Sequence, residues 1–256
     1  MLFPRKNETE GGDLRMNKVI IIPDVHGRKF WRTAMSWADN TPIVFLGDYL
    51  DPYWDEGIDA EEAYEQLDEI INFKKTYPET VTLLLGNHDL HYLSSQIGGC
   101  RYDWRHAYQN KALLWSNLEL FDIAHAIESN GRQFLFTHAG VLREWYKEHY
   151  NYTGEVTATD ISSRLNEQFH NSISQSASMI ALADISPKRG GTHVCGSPVW
   201  ADVAEHNRSI AEFENIYQIF GHSLMLNEII TPYWACVDCR EAFLLRLNTG
   251  KMKRMI

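Results

Sequence analysis

The chain has 256 residues, 44% apolar and 23% charged, with a formal net charge of −10. These are globular proportions, and the length is ample for one large domain with a buried core. The acidic balance argues against a broad nucleic-acid surface, which needs clustered Lys and Arg, but it leaves small phosphorylated ligands open because metal ions invert a local field.

Residues 1–15 are polar and Gly-containing and read as a flexible N-terminal tail, with Met16 as an alternative start. No apolar run there resembles a signal peptide. No later stretch offers the ~18 consecutive apolar residues of a transmembrane helix. Cysteine is sparse: Cys100 and Cys195 stand alone, and Cys236 and Cys239 form one C-x-x-C. A structural zinc site needs four ligands. The pair therefore reads as reduced thiols at a strand end, in a reducing, cytoplasmic compartment.

The first element is Val19–Ile22, ended by Pro23; the second is Ile43–Leu46, ended by Gly47; the third is Val81–Leu85, ended by Gly86. Short β-branched and leucine runs of this kind predict strands buried on both faces. Between the second and third, Asp59 and Glu62 have capping-box spacing. Ala63, Leu67, Ile70 and Ile71 then recur at helical intervals. Strand, helix, strand with short turns implies parallel pairing and right-handed crossovers. Residues 91–131 read as mostly helical, with Leu113, Leu114, Leu118 and Phe121 on one face. Gln133–Thr137 is the next strand. Residues 142–185 read as helices, with Asp160 as an N-cap, and Ser186–Pro198 as a Gly- and Pro-containing loop. Strands return at Tyr217–Phe220, Trp234–Val237 and Phe243–Leu247. The segment 16–256 is expected to be one domain whose helical segments, about 91–131 and 142–185, overhang the strand ends.

Metal-binding residue types follow the strands. Asp24 and His26 come after the first, Asp48 and Asp51 after the second, and Asn87, His88 and Asp89 after the third. His138 follows the fourth and His222 the fifth. Any one of these alone would read as a turn or a hydrogen-bonded structural side chain. Five in the same strand-end position converge on one rim, where α/β sheets bind ligands. Asp and His suit Mn, Fe or Zn better than a thiolate-type site would. Two ions clamping a phosphoryl group, with Asp48 able to bridge them, fit this inventory. Gly47, Gly86 and Gly221 allow tight turns and close backbone approach.

The motifs PDVHG (23–27), GDYLD (47–51), GNHD (86–89), THAG (137–140) and FGHS (220–223) resemble those of the calcineurin-like metallophosphoesterase superfamily. They look most like its serine/threonine phosphoprotein phosphatase and diadenosine tetraphosphatase branch. Pro198–Asp202 and Val237-Asp238 resemble later segments of that branch. The resemblance implies an α/β fold, a four-layer α/β/β/α sandwich with the active site at the carboxyl ends of the strands. It implies that Asp24 and His26 hold one metal, that Asp48 bridges, and that Asn87, His138 and His222 hold the second. It implies that His88 is a general acid oriented by Asp51, and that a metal-bound hydroxide attacks phosphorus with no covalent enzyme intermediate. The ions expected are manganese, alternatively iron or zinc.

Two departures stand out. Leu224 occupies the place of a second terminal His, which favours the phosphoprotein phosphatase branch. Pro52-Tyr53 follow Asp51, where that branch has Arg-Gly. Arg189 is the candidate to contact phosphate instead, set against a solvated loop arginine; Arg101, Arg143 and Arg208 are further candidates. His91 either approaches substrate or caps a helix, and Asp89 supports its turn. Tyr49, Tyr53 and Trp54 either wall a pocket or pack internally. The function expected is hydrolysis of phosphomonoesters, on a phosphoprotein or a small phosphorylated molecule. The alternatives are a dinucleoside polyphosphate hydrolase, a superfamily nuclease, and a non-catalytic metal-binding scaffold. Retention of His88 with Asp51 counts against the scaffold.

Overall fold

The computed structural model describes residues 17–255 apart from 153 and 175–178; the expected tail over 1–15 and Met16 lie outside the described residues. The β-branched run forms β1 (Lys18–Ile22), followed by β2 (Ile43–Phe45), α1 (Ala60–Thr76) and β3 (Val81–Leu84). The Asp59 side chain accepts the Glu62 N–H at 2.8 Å, so α1 begins at the expected cap. Next come α2 (Asn87–Leu93), α3 (Ala107–Trp115), β4 (Phe121–Asp122), β5 (Ala124–Ser129) and β6 (Arg132–Thr137). The chain continues through α4 (Arg143–His149), α5 (Ala158–Ser174) and β7 (Ile216–Phe220). It closes with β8 (Ile229–Ile230), β9 (Trp234–Cys236), β10 (Phe243–Arg246) and β11 (Lys251–Arg254).

These strands make two sheets, in the orders β11-β10-β1-β2-β3-β4 and β5-β6-β7-β9-β8. Alternation along each strand sorts side chains between the layers. Val19 and Ile21 of β1, Val44 of β2 and Leu84 of β3 meet Phe134, Phe136, Ile219 and Ala235 of the second sheet in one buried cluster. Their neighbours Ile20, Ile22, Ile43, Phe45 and Leu83 belong to a separate cluster with Leu67, Ile70 and Ile71 of α1. On the opposite sheet, Leu135 joins that cluster with Ile161, Leu165 and Phe169 of α5. Helices thus cover both outer faces, and the sandwich expected from the sequence is observed.

The helical expectation over residues 91–131 holds for the end of α2 and for α3 but is corrected elsewhere: residues 94–106 form turns and loop, and the end of the stretch is extended. Residues 121–129 are strands: β4 extends the first sheet beside β3, and β5 pairs antiparallel with β6. The turn between β5 and β6 is Asn130-Gly131, with φ of +51° and +72°. Positive φ at both positions of a two-residue loop is the hairpin turn whose twist matches its strands. Asn-Gly was the sequence signal for it. A second correction concerns Asp160. It is not the cap of α5 but the partner of Thr157, whose Oγ1 accepts the Asp160 N–H while the Asp160 carboxylate accepts the Thr157 N–H. This is the reciprocal capping arrangement.

α5 is fastened to the sheet by one side chain. Asn166 Oδ1 accepts the N–H groups of Ile123 (3.0 Å) and Ala124 (2.9 Å), and its Nδ2 donates to Ala124 O (2.9 Å). Asn166→Leu leaves two N–H groups of buried residues unpaired, at about 1–3 kcal/mol each. Urea unfolding is expected to register a loss of about 2–4 kcal/mol; a change within ±0.5 kcal/mol would remove Asn166 as the anchor.

Candidate metal centre and active site

β1, β2 and β3 run parallel in the first sheet, and β6, β7 and β9 run parallel in the second. Their carboxyl ends supply the side chains that meet at one rim. The backbone there is unusual. His26, Asp48, Asp51 and His222 have φ of +44°, +54°, +56° and +63°. Residues with a Cβ rarely adopt this conformation, and where they do the surroundings enforce it. Around Asp48 the enforcing group is Asp89, whose carboxylate accepts the N–H groups of Asp48 (2.7 Å), Tyr49 (3.0 Å) and Gly86 (2.9 Å). Asp89 therefore supports the turn, as expected. Bare backbone also matters: a Cβ at Gly86 would lie 2.1 Å from Asp48 Oδ1, and one at Gly221 would lie 2.2 Å from Asp24 Oδ1.

Asp48 is the hub. Its Oδ2 lies 3.6 Å from His26 Nε2 and 3.4 Å from His138 Nε2. His138 Nε2 in turn lies 3.1 Å from Asn87 Oδ1 and 3.1 Å from His222 Nδ1. Asp48 so belongs to two buried groups of ligand-type atoms, one with His26 and His88 and one with His138 and His222. Asp24 enters beside the second, its Oδ1 accepting the His222 N–H at 3.0 Å. All six expected metal-binding residues are brought together.

The ring tautomers are set from behind. His26 Nδ1 donates to Leu50 O at 2.6 Å and His138 Nδ1 to Leu46 O at 2.9 Å. In the neutral ring each Nε2 then has a lone pair facing the cluster, which for His138 means that a cation takes the place of its second proton. His138 Nε2 lies 3.1–3.4 Å from His222 Nδ1, Asn87 Oδ1 and Asp48 Oδ2. Ligands about 2.1 Å from one ion are themselves about 3.0–3.4 Å apart. The donor set fits a cation of the borderline class.

Electrostatics point the same way. Burial raises the pKa of Asp24, lifts Asp89 to about 8 and pushes Asp238, at the end of β9, well above the carboxylate range. Neighbouring carboxylates add to each rise, Asp48 for Asp24 and Asp89 and Asp24 for Asp238. Burial also opposes ionisation of Asp48, but His138, His88 and His26 outweigh it and hold that carboxyl well below its usual value. Burial takes His26 down to about 3. It would depress His138 too, yet Asp48 and Asp24 carry that ring up to about 10. A pocket this rich in buried acid is one that a cation neutralises.

Beside the hub, His88 Nδ1 lies 2.8 Å from Asp51 Oδ2, the pairing expected of an acid and its orienter. The carboxylate has further holders: His91 Nε2 is 2.8 Å from the same oxygen, and the Tyr92 hydroxyl donates to Oδ1. Burial opposes the charge on Asp51, but hydrogen bonds from His88 and His91 prevail and keep its pKa below the ordinary value. His91 thus neither caps α2 nor faces outward. Its place three residues after His88 on α2 was the available signal.

The arginines divide. Arg189 pairs with Asp202 at 2.8 Å and donates to Ser223 Oγ at 2.7 Å, next to His222. Arg143 is tied to the carbonyls of Ala211 and Glu212, and Arg208 is exposed. Arg101 reaches the rim: its NH2 lies 3.2 Å from His26 Nε2 and its guanidinium 3.8 Å over the Tyr53 ring. Of the three aromatics, Tyr49 is buried and donates to Leu84 O, Trp54 is 90% exposed, and Tyr53 alone stands at the site.

Residues 17–225 match the family description Calcineurin-like phosphoesterase. A symmetrical bis(5'-nucleosyl)-tetraphosphatase of Acidovorax ebreus (strain TPSY) is 36% identical over 90 residues, 32% of this chain and 32% of that protein. The serine/threonine-protein phosphatase PP1-1 of Saccharomyces cerevisiae (strain ATCC 204508 / S288c) is 26% identical over 131 residues, 49% of this chain and 40% of that one. Both alignments span less than half of the relative's length. The solved structure of a cold-active protein tyrosine phosphatase covers 93% of this chain and 78% of its own, with a TM-score of 0.57 at 17% identity, and shares the fold. The family match runs through every strand-end cluster from Asp24 to His222, and on that ground the chain belongs to the calcineurin-like phosphoesterases.

Proposed function

We propose that the chain is a dinuclear-metal phosphatase acting on phosphomonoesters, either phosphoprotein or small phosphorylated molecules. The observation that carries this is Asp48, shared by two buried ligand groups within reach of the His88–Asp51 pair. Asp24, His26 and Asp48 hold one ion, and Asp48, Asn87, His138 and His222 the other, with manganese expected and iron or zinc the alternatives. Such a pair, when bound, polarises the phosphoryl group and supplies a nucleophilic water at neutral pH. The protein does the rest. Asp51 holds His88 Nδ1–H, so the opposite nitrogen is turned to the substrate and delivers a proton to the leaving oxygen. His91 and Tyr92 keep Asp51 ionised and fixed. Arg189, beside His222, reaches phosphate with the donors that Asp202 and Ser223 leave free. A soluble, cytoplasmic setting is part of the same proposal.

A second reading is a dinucleoside polyphosphate hydrolase, favoured by the 36% identity to the Acidovorax tetraphosphatase. Parallel assays on a phosphopeptide and on diadenosine tetraphosphate separate the two.

Three variants test the chemistry. His88→Asn is expected to lower kcat about 10²–10⁴-fold on para-nitrophenyl phosphate with manganese added back, while metal content stays at two ions per chain. Full activity in that variant would end the acid assignment, and failure of the wild type to bind metal would end the whole reading. Asp89→Ala strands three N–H groups around Asp48 and is expected to lose metal, counted by elemental analysis, with stability reduced by about 3 kcal/mol or more. Arg189→Ala is expected to raise KM several-fold, and unchanged KM and kcat would return Arg189 to its ion pair alone.

A further inference from the structure

Four arginines approach the active-site rim, and three of them already face a carboxylate. Arg28 makes two bonds to Glu56, at 2.6 and 2.9 Å. Arg240 pairs with the same Glu56 at 2.7 Å, and Arg189 with Asp202 at 2.8 Å. Arg101 has no carboxylate at ion-pair distance among the described residues. Its holders are all neutral: Nε donates to Asp51 O at 3.3 Å, and the guanidinium packs on Tyr53 and beside His26. Neutral groups fix the position of a cation without matching its charge. A half-buried guanidinium left in that state is a standing cost that an incoming anion relieves.

The hold is also geometrically specific. Arg101 NH2 is 3.2 Å from His26 Nε2 and 3.5 Å from His26 Nδ1. A group on the Nε2 lone-pair axis would be much further from Nδ1 than from Nε2. The near equality puts the guanidinium against the flank of the ring, off that axis. Nε2 therefore stays free to face Asp48, and the arginine stands beside whatever Nε2 holds. The backbone of Arg101 is itself in the left-handed region, with φ of +53°. Loop residues rarely adopt this without an enforcing environment, and here it aims the side chain back to the rim from between α2 and α3.

We infer that Arg101 is a substrate-binding residue that clamps phosphoryl oxygens on the His26 side of the centre, with Tyr53 as the platform that holds it there. The ligand chemistry is a phosphate bearing at least one free anionic oxygen, which a guanidinium grips with paired N–H donors. This rests on the phosphatase reading above. It assigns to Arg101 a place opposite Arg189, which stands by His222.

The test uses inorganic phosphate as the probe, on the full chain loaded with manganese. Its inhibition constant against para-nitrophenyl phosphate is measured together with direct calorimetric binding. Arg101→Ala is expected to weaken phosphate about tenfold or more, with both ions retained and with partial recovery when free guanidinium is added. Arg101→Lys should fall between, since a lysine keeps charge but not the fork. Tyr53→Phe should resemble the wild type, and Tyr53→Leu should resemble Arg101→Ala. Unchanged phosphate affinity in Arg101→Ala, beside an active wild type, overturns this inference alone. A wild type that holds metal yet neither binds phosphate nor turns over overturns the phosphatase reading with it.

Discussion

A carboxylate placed among three imidazoles and beyond the reach of bulk water sets the terms for everything around it. Asp48 is 2% exposed, and an isolated buried charge of that kind is very expensive. It is tolerated because His26, His88 and His138 surround it and because its Oδ1 accepts the His88 N–H at 2.9 Å. Each of those partners is fixed in turn, by Leu50 O, by Asp51 and by Leu46 O. Asp89 pins the turn that presents the hub, and glycine at 86 makes room for its oxygen. Displacing any of these would reorient a nitrogen or a carboxylate by a distance comparable to a coordinate bond, which is enough to spoil a site.

The scaffold answers the same demand at larger scale. Side chains that must meet come from turns far apart in sequence, so their positions depend on the pairing of β1 with β2 and β3, and of β6 with β7 and β9. Both sheets are buried on two faces there, which fixes register by packing rather than by surface polarity. Four strained residues, His26, Asp48, Asp51 and His222, sit just past the ends of those strands. Rigid strands carrying strained tips are a way of holding several polar groups in contact that would otherwise repel or solvate.

Most of this was legible in the residues. Unbroken apolar runs gave the central strands, and polar residues one or two positions after each run gave the rim. What escaped lay where side-chain periodicity is a poor guide. Phe121 closes a helix-like spacing from Leu113, yet it begins the extended stretch that pairs with β3 and then β6; tertiary pairing overrode local pattern, and Asn130-Gly131 is the local signal for it. β8 has only two residues and β11 is a charged edge strand, so neither offers an apolar run. The grip of His91 and Tyr92 on Asp51, and the bare charge of Arg101, depend on distances across tens of residues. No spacing rule encodes these. Asp160 was misplaced by one half of a reciprocal pair, because a cap and its partner are chemically alike.

The division of ligands between the two sheets has a thermodynamic consequence. Asp24, His26, Asp48 and Asn87 follow strands of one sheet, whereas His138 and His222 follow strands of the other. A cation held by both sets would act as a rivet through the sandwich, present in the native state and lost on unfolding. Mass action would then tie the melting point of the whole domain to free metal, by about 2.7 kcal/mol at a hundred times the dissociation constant. The same atoms that would do the chemistry would thereby report, through the protein's own persistence, on the ionic composition of its surroundings.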